Sequence, residues 1–148
     1  MKKIILVLVL AMVVSGCATP MVIGLKKGEQ HYVPSGDPNK GLLYLYREGE
    51  FFACARGIFV TANGKRIGGL NSGTYFVYEA DPGDITISVE NWLGTDPSRT
   101  INVKPGGKYY LKGSLKFGMW EPAPHIEIVI EQEGEAAVQS LVYATLKH

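Results

Sequence analysis

The sequence predicts a mainly β protein, a small antiparallel β-sandwich of about seven strands with one C-terminal α-helix. Three observations predict it. Ile85, Ile87 and Val89 alternate with Thr86, Ser88 and Glu90, and Ile126, Ile128 and Ile130 alternate with Glu127 and Glu131, the period of two expected of strands with one dry face. Asn63-Gly64 is the strongest short-range hairpin signal, because both central positions of a type I′ turn need positive φ. Turn formers recur every few residues between short apolar runs, as in sandwiches and barrels.

The elements follow in chain order. Lys2 and Lys3 precede an apolar run of eleven residues, Ile4 to Val14. That run is too short for a bilayer core, which needs ~20 helical residues. A basic start, a short hydrophobic centre and small residues at the end are the features of a secretory signal peptide, here residues 1–16. Val14-Ser15-Gly16-Cys17 resembles a bacterial lipobox, in which cleavage precedes a cysteine that receives lipid. That resemblance implies lipidation of Cys17 and attachment to a membrane of the bacterial cell envelope. By the same resemblance to bacterial lipoproteins, a residue other than Asp after the cysteine, here Ala18, implies the outer membrane, with the domain facing the periplasm.

Residues 17–40 read as the lipidated cysteine and a flexible tether, holding turn formers such as Pro34-Ser35-Gly36-Asp37-Pro38-Asn39 and lacking sustained periodicity. Met21 to Leu25 interrupts it with an apolar stretch that either packs back on the domain or lies near the membrane. Residues 41–148 read as the folded domain. Leu42 to Arg47, Gly57 to Ala62, Lys65 to Gly68 and Thr74 to Glu79 are strands by their aromatic and branched content. Thr100 to Val103 and Tyr109 to Lys112 flank Pro105-Gly106-Gly107 as a second hairpin. Glu135 to Lys147 lacks Gly and Pro, and Val138, Leu141, Val142 and Leu146 keep helical spacing, so the helix is placed there.

The run Leu43-Tyr44-Leu45-Tyr46-Arg47, then Val60-x-x-Asn63-Gly64-Lys65-x-Ile67-Gly68-x-Leu70-x-x-Gly73-x-Tyr75, then Pro82-Gly83-x-x-x-Ile87 resembles a family of small bacterial lipoproteins, the domain-of-unknown-function 2846 family. It is also similar to the PEGA domain and to transthyretin-like sandwiches. The resemblance covers about residues 42 to 112. Its residues are turn formers and core apolars, so it implies a fold and an envelope location, and it brings no catalytic residues.

Charge narrows the partners. The chain holds 15 Lys and Arg against 14 Asp and Glu; losing Lys2 and Lys3 leaves 13 against 14, a net of −1. A near-neutral domain has no electrostatic case for binding nucleic acid. With Cys17 lipidated only Cys54 remains, so no intramolecular disulfide is expected, and Cys54 between two alanines reads as a buried apolar residue. No cofactor or metal is expected, because His31, His125 and His148 lack metal-ligand spacing. The acidic residues Glu127, Glu131, Glu133 and Glu135 read as a solvated strip, with Glu127 and Glu131 on one strand face.

Aromatics on connections are the candidate partner-binding residues: Phe51 and Phe52, Trp92, and Met119 with Trp120. They mark a binding patch if two of their three loops meet at one end of the sandwich. The leading expectation is a non-enzymatic module that binds an envelope protein or a cell-wall polymer. The alternative is a carrier for a small ligand or glycan. A hydrolase built on His125, Glu121 or Cys54 requires those side chains to converge in a cleft.

Overall fold

Leu43 and Leu45 on one strand and Ile85, Ile87 and Val89 on another are all buried. Drying both stripes at once requires two sheets to face each other. The computed structural model describes residues 22–24, 31–51, 53–92, 94–117 and 121–146. Among these residues there are ten strands and one helix: β1 (Val22–Gly24), β2 (Gly41–Arg47), β3 (Ile58–Ala62), β4 (Lys65–Leu70), β5 (Thr74–Ala80), β6 (Gly83–Val89), β7 (Ser98–Val103), β8 (Lys108–Phe117), β9 (Pro122–Val129), α1 (Glu131–Val138) and β10 (Val142–Leu146). One sheet has the order β1-β10-β5-β2-β8-β9 and the other β4-β3-β6-β7. The main core lies between them and draws Leu43, Leu45, Phe76, Leu111 and Ile126 from the first sheet, and Ile58, Val60, Ile87, Val89 and Ile101 from the second.

The mainly β, two-sheet architecture is as predicted, with ten strands among the described residues instead of about seven and with three further differences in detail. The six-stranded sheet is mixed, because β2 pairs with β8 and β5 with β10 in parallel. The supposed hairpin around Pro105-Gly106-Gly107 joins β7 to β8, which belong to different sheets; β7 pairs with β6 and β8 with β9. Alternation shows that a strand has a dry face but not which sheet supplies its neighbour. The helix is shorter and earlier than predicted, and Val142 to Leu146 form a strand. Val142 and Tyr143, branched and aromatic, pair with Thr74 and Tyr75 of β5, and that burial overrides a helical period that is also present. The amides of Ser140 and Leu141 donate back to Ala137 and Val138 and end the helix. Glu131 and Glu133 therefore sit in the first helical turn, where the dipole favours them, and do not extend the face of β9.

Helix α1 covers the outer face of the six-stranded sheet over a second cluster of Tyr46, Tyr75, Tyr110 and Leu141. Gly134 makes the approach possible. A Cβ there would lie 2.3 Å from the Tyr110 side chain. The Asn63-Gly64 hairpin forms as expected, with φ of 48° and 78° joining β3 to β4.

Part of the segment read as a tether lies on the domain. Strand β1 pairs antiparallel with β10, matching Val22 with Leu146 and Gly24 with Ala144. Further on, the hydroxyls of Tyr32 and Ser35 and the amide of Ser35 all donate to the Glu79 carboxylate, and Lys40 pairs with Asp81 at 2.8 Å.

These contacts set two expectations. The Ser35 hydroxyl, and after it Tyr32, hold the Glu79 carboxyl down at about 2, from 4.5. A depressed folded value stabilises docking fully above pH ~4.5, and the contribution is lost as pH falls towards 2. Resonances of Tyr32 and Ser35 should shift towards their undocked positions across that window, and Glu79→Gln should abolish the transition. Secondly, the Tyr46 hydroxyl is buried without a hydrogen-bond partner among the described residues. Burial raises its pKa to about 12, so it stays neutral and its cost is desolvation. Tyr46→Phe should leave stability unchanged or raise it by up to ~1 kcal/mol in denaturant titration.

Candidate functional site

Strand directions bring the β2–β3 connection, the β6–β7 connection and the residue before β9 together at one end of the sandwich. They meet at Trp92. The Arg56 guanidinium, from the first connection, lies 4.4 Å over the Trp92 ring. The indole N–H donates to Glu121 Oε2 at 2.9 Å, and Arg56 Nη1 lies 3.4 Å from the same oxygen. Trp92 itself is 42% exposed. Its loop is shaped by Asn91, whose amide N–H donates to Asp96 at 2.7 Å and whose side chain donates to the Thr95 carbonyl at 3.1 Å.

Arg47 fixes the β2–β3 connection from below. Its side chain is wholly buried. It donates to the carbonyls of Ala53 and Arg56 and, through Nε and Nη2, to Glu50 Oε2. Glu50 is tied in turn to Ser72, its amide donating to the hydroxyl and its carbonyl accepting from it. Ala53 adopts φ 53°, a left-handed conformation for a side chain that packs on the core. A parallel arrangement stands beside it, where Arg66 lies 3.8 Å over Phe59 and pairs with Glu90 through two nitrogens.

Arg56 separates two open clefts. One, of about 610 Å³, is lined by Phe59, Glu90, Asn91, Trp92 and Asp96; the other, of about 630 Å³, by Ala53, Ala55, Glu121 and Pro122. The contacts around Trp92 are solvent-facing, each worth ~0.5–1 kcal/mol by type. Arg56 can therefore leave the face of the indole at small cost.

Of the candidates named from sequence, Trp92 lies at this meeting point and Phe51 is fully exposed on the β2–β3 connection. Phe52, Met119, Trp120 and Cys17 lie outside the described residues. Phe117, at the end of β8, is 84% exposed at the same end. Sequence reasoning missed Arg47, Arg56 and Arg66. An arginine closing an apolar strand was the available signal for Arg47. The Glu121 carboxylate is taken up by Trp92 and Arg56, whereas His125 stands on β9 opposite Ser114. Burial, then Lys116, pushes the His125 pKa down. Among the described residues no group of three or more His, Cys, Asp or Glu is placed to hold a metal ion.

Cys54 corrects its expectation. It is half-buried, not fully buried. The chain has one other cysteine, Cys17. Cys17 lies outside the described residues, and a sulfur that carries lipid cannot also belong to a disulfide, so an intrachain bridge and the anchor exclude one another. Intact mass of the membrane-extracted protein, read before and after reduction, separates the two. The lipidated form should show acyl mass and no gain on reduction; a gain without acyl mass would assign Cys17 to the bridge.

Residues 37–127 match the family described as "Protein of unknown function (DUF2846)", and residues 1–18 match the prokaryotic membrane lipoprotein lipid attachment site. An "Uncharacterized protein" of Haemophilus influenzae is 26% identical over 132 residues, covering 88% of this chain and 77% of its own length. The family match contains Arg47, Arg56, Trp92 and Glu121 and spans well over half of the chain. The protein is a membrane-anchored lipoprotein of the cell envelope and belongs to the DUF2846 family.

Proposed function

We propose that this lipoprotein is a non-enzymatic binding or structural module, held at the outer membrane and facing the periplasm. In this reading the end bearing Trp92 meets another envelope protein or a cell-wall polymer. One observation carries it: connections from both sheets converge on a half-exposed indole, with Phe51 and Phe117 exposed around it. Exposed aromatics gathered on one end are the usual anchors of an interface, and arginine is enriched beside them. The polar groups there are engaged with one another, which suits recognition better than proton transfer.

The clefts on either side of Arg56 favour a second reading, a site for a small ligand or glycan. Native mass spectrometry of protein drawn from membranes separates the two. A retained ligand supports the carrier, and an empty domain with crosslinked neighbours supports the module.

Trp92→Ala should weaken capture of the neighbour crosslinked in intact cells at least tenfold, with the thermal midpoint within a few degrees of wild type. The same captured species in the same yield would remove this surface from the reading.

A further inference from the structure

Between the lipidated Cys17 and the first domain strand, Gly41, lie 24 Cα steps, which fully extended reach about 80 Å. Such a leash would let the domain work far from the lipid. The structure shortens it at two places. Val22 to Gly24 form the edge strand of the six-stranded sheet against β10, and Tyr32 and Ser35 are tied to Glu79. From Cys17 to Val22 there are five Cα steps, at most about 18 Å of chain along any path.

We infer that β1 is a clip that holds the domain close to the membrane, with the β1–β10 edge of the sheet as its lipid-facing side. The clip sets the orientation of the Trp92 end. Glu121, the partner of Trp92, immediately precedes β9, and β9 is the opposite edge of the same sheet. Five interstrand steps separate the two edges, about 24 Å. Val22 pairs with Leu146, the end of β10 away from Val142, and Val142 lies beside Thr74 and Arg47 at the Trp92 end, so the loops that carry the site project away from the lipid.

The leash has three settings. With β1 paired it is at most about 18 Å. With β1 released and the Glu79 tie kept, the 15 steps from Cys17 to Tyr32 allow about 50 Å. With both released the full 80 Å or so is available. A three-residue edge strand contributes few ladder hydrogen bonds, so the first release costs little compared with unfolding the domain. On the reading that the Trp92 end is a binding surface, the clipped form reaches partners that come to the same membrane. A polymer held farther out requires the released form.

The test uses full-length lipidated protein in vesicles, with a fluorophore introduced at Asp81 and energy transfer to headgroup-labelled lipid. One variant carries ten Gly/Ser residues inserted after Ala18, upstream of the clip; the other carries them after Lys27, downstream. The clip requires the upstream insertion to raise the domain by roughly 15 Å and the downstream insertion to leave its height unchanged. Adding Val22→Pro and Ile23→Pro to the downstream variant should restore the rise, because adjacent amides of an edge strand point to opposite sides and one of the two must face β10. Equal rises from both insertions without the proline would overturn the clip, and no rise from either would show that something other than the leash sets the height. Trp92→Ala should leave the height unchanged, so this inference fails or stands apart from the binding surface.

Discussion

A single buried cation governs the path of the chain at the Trp92 end. Arg47 closes β2 with no exposure, and an uncompensated charge there would cost several kcal/mol. It is compensated by Glu50 and by two carbonyls that belong to the connection itself, those of Ala53 and Arg56. Satisfying Arg47 therefore bends the loop, holds Ala53 in a left-handed conformation and delivers Arg56 to the face of Trp92. The exposed contacts around Trp92 are individually weak, yet they are made from a loop that is not free to wander. A site of this kind has a fixed frame and yielding contents.

The six-stranded sheet is buried on both faces for different reasons. Its inner face packs on the smaller sheet through aliphatic residues. Its outer face carries Tyr44, Tyr46, Tyr75 and Tyr110 under α1, with Tyr44 and Tyr110 stacked at 4.9 Å. Tyrosine suits a face that is partly covered, since the ring can be dry while the hydroxyl seeks the rim. Tyr46 is covered too completely for that, and its hydroxyl finds no hydrogen-bond partner among the described residues. The absence of a side chain at Gly134 is what lets the helix descend so far.

Local chemistry was legible in the sequence wherever one segment decides the outcome. Asn63-Gly64 specified its turn, and the alternation at Ile85 to Val89 specified a strand with one dry face. Choices between sheets were not legible. Pro105-Gly106-Gly107 has the residues of a hairpin turn, but Val103 and Tyr109 bury against opposite sheets, and long-range packing makes that decision. The C-terminal segment fitted two periods, and pairing with β5 selected the strand. Trp92 could be named in advance because an aromatic beside turn formers stands out. Arg56 and Arg66 could not, because a surface arginine looks the same in sequence whether it faces water or an aromatic ring.

Charge and tethering act together on how such a domain meets a partner. A chain with a formal net charge of only +1 generates little long-range field, and at physiological ionic strength exposed charges are screened beyond about 8 Å. Steering by charge is thus weak, and local concentration must supply what steering does not. A lipid anchor confines the domain to a layer, and the depth of that layer is the length of chain left free. Effective concentration falls steeply as that length grows. A chain that folds its own tether into the edge of its sheet therefore gains encounter frequency near the membrane and gives up range, and the pairing between Val22 and Leu146 is where the exchange is made.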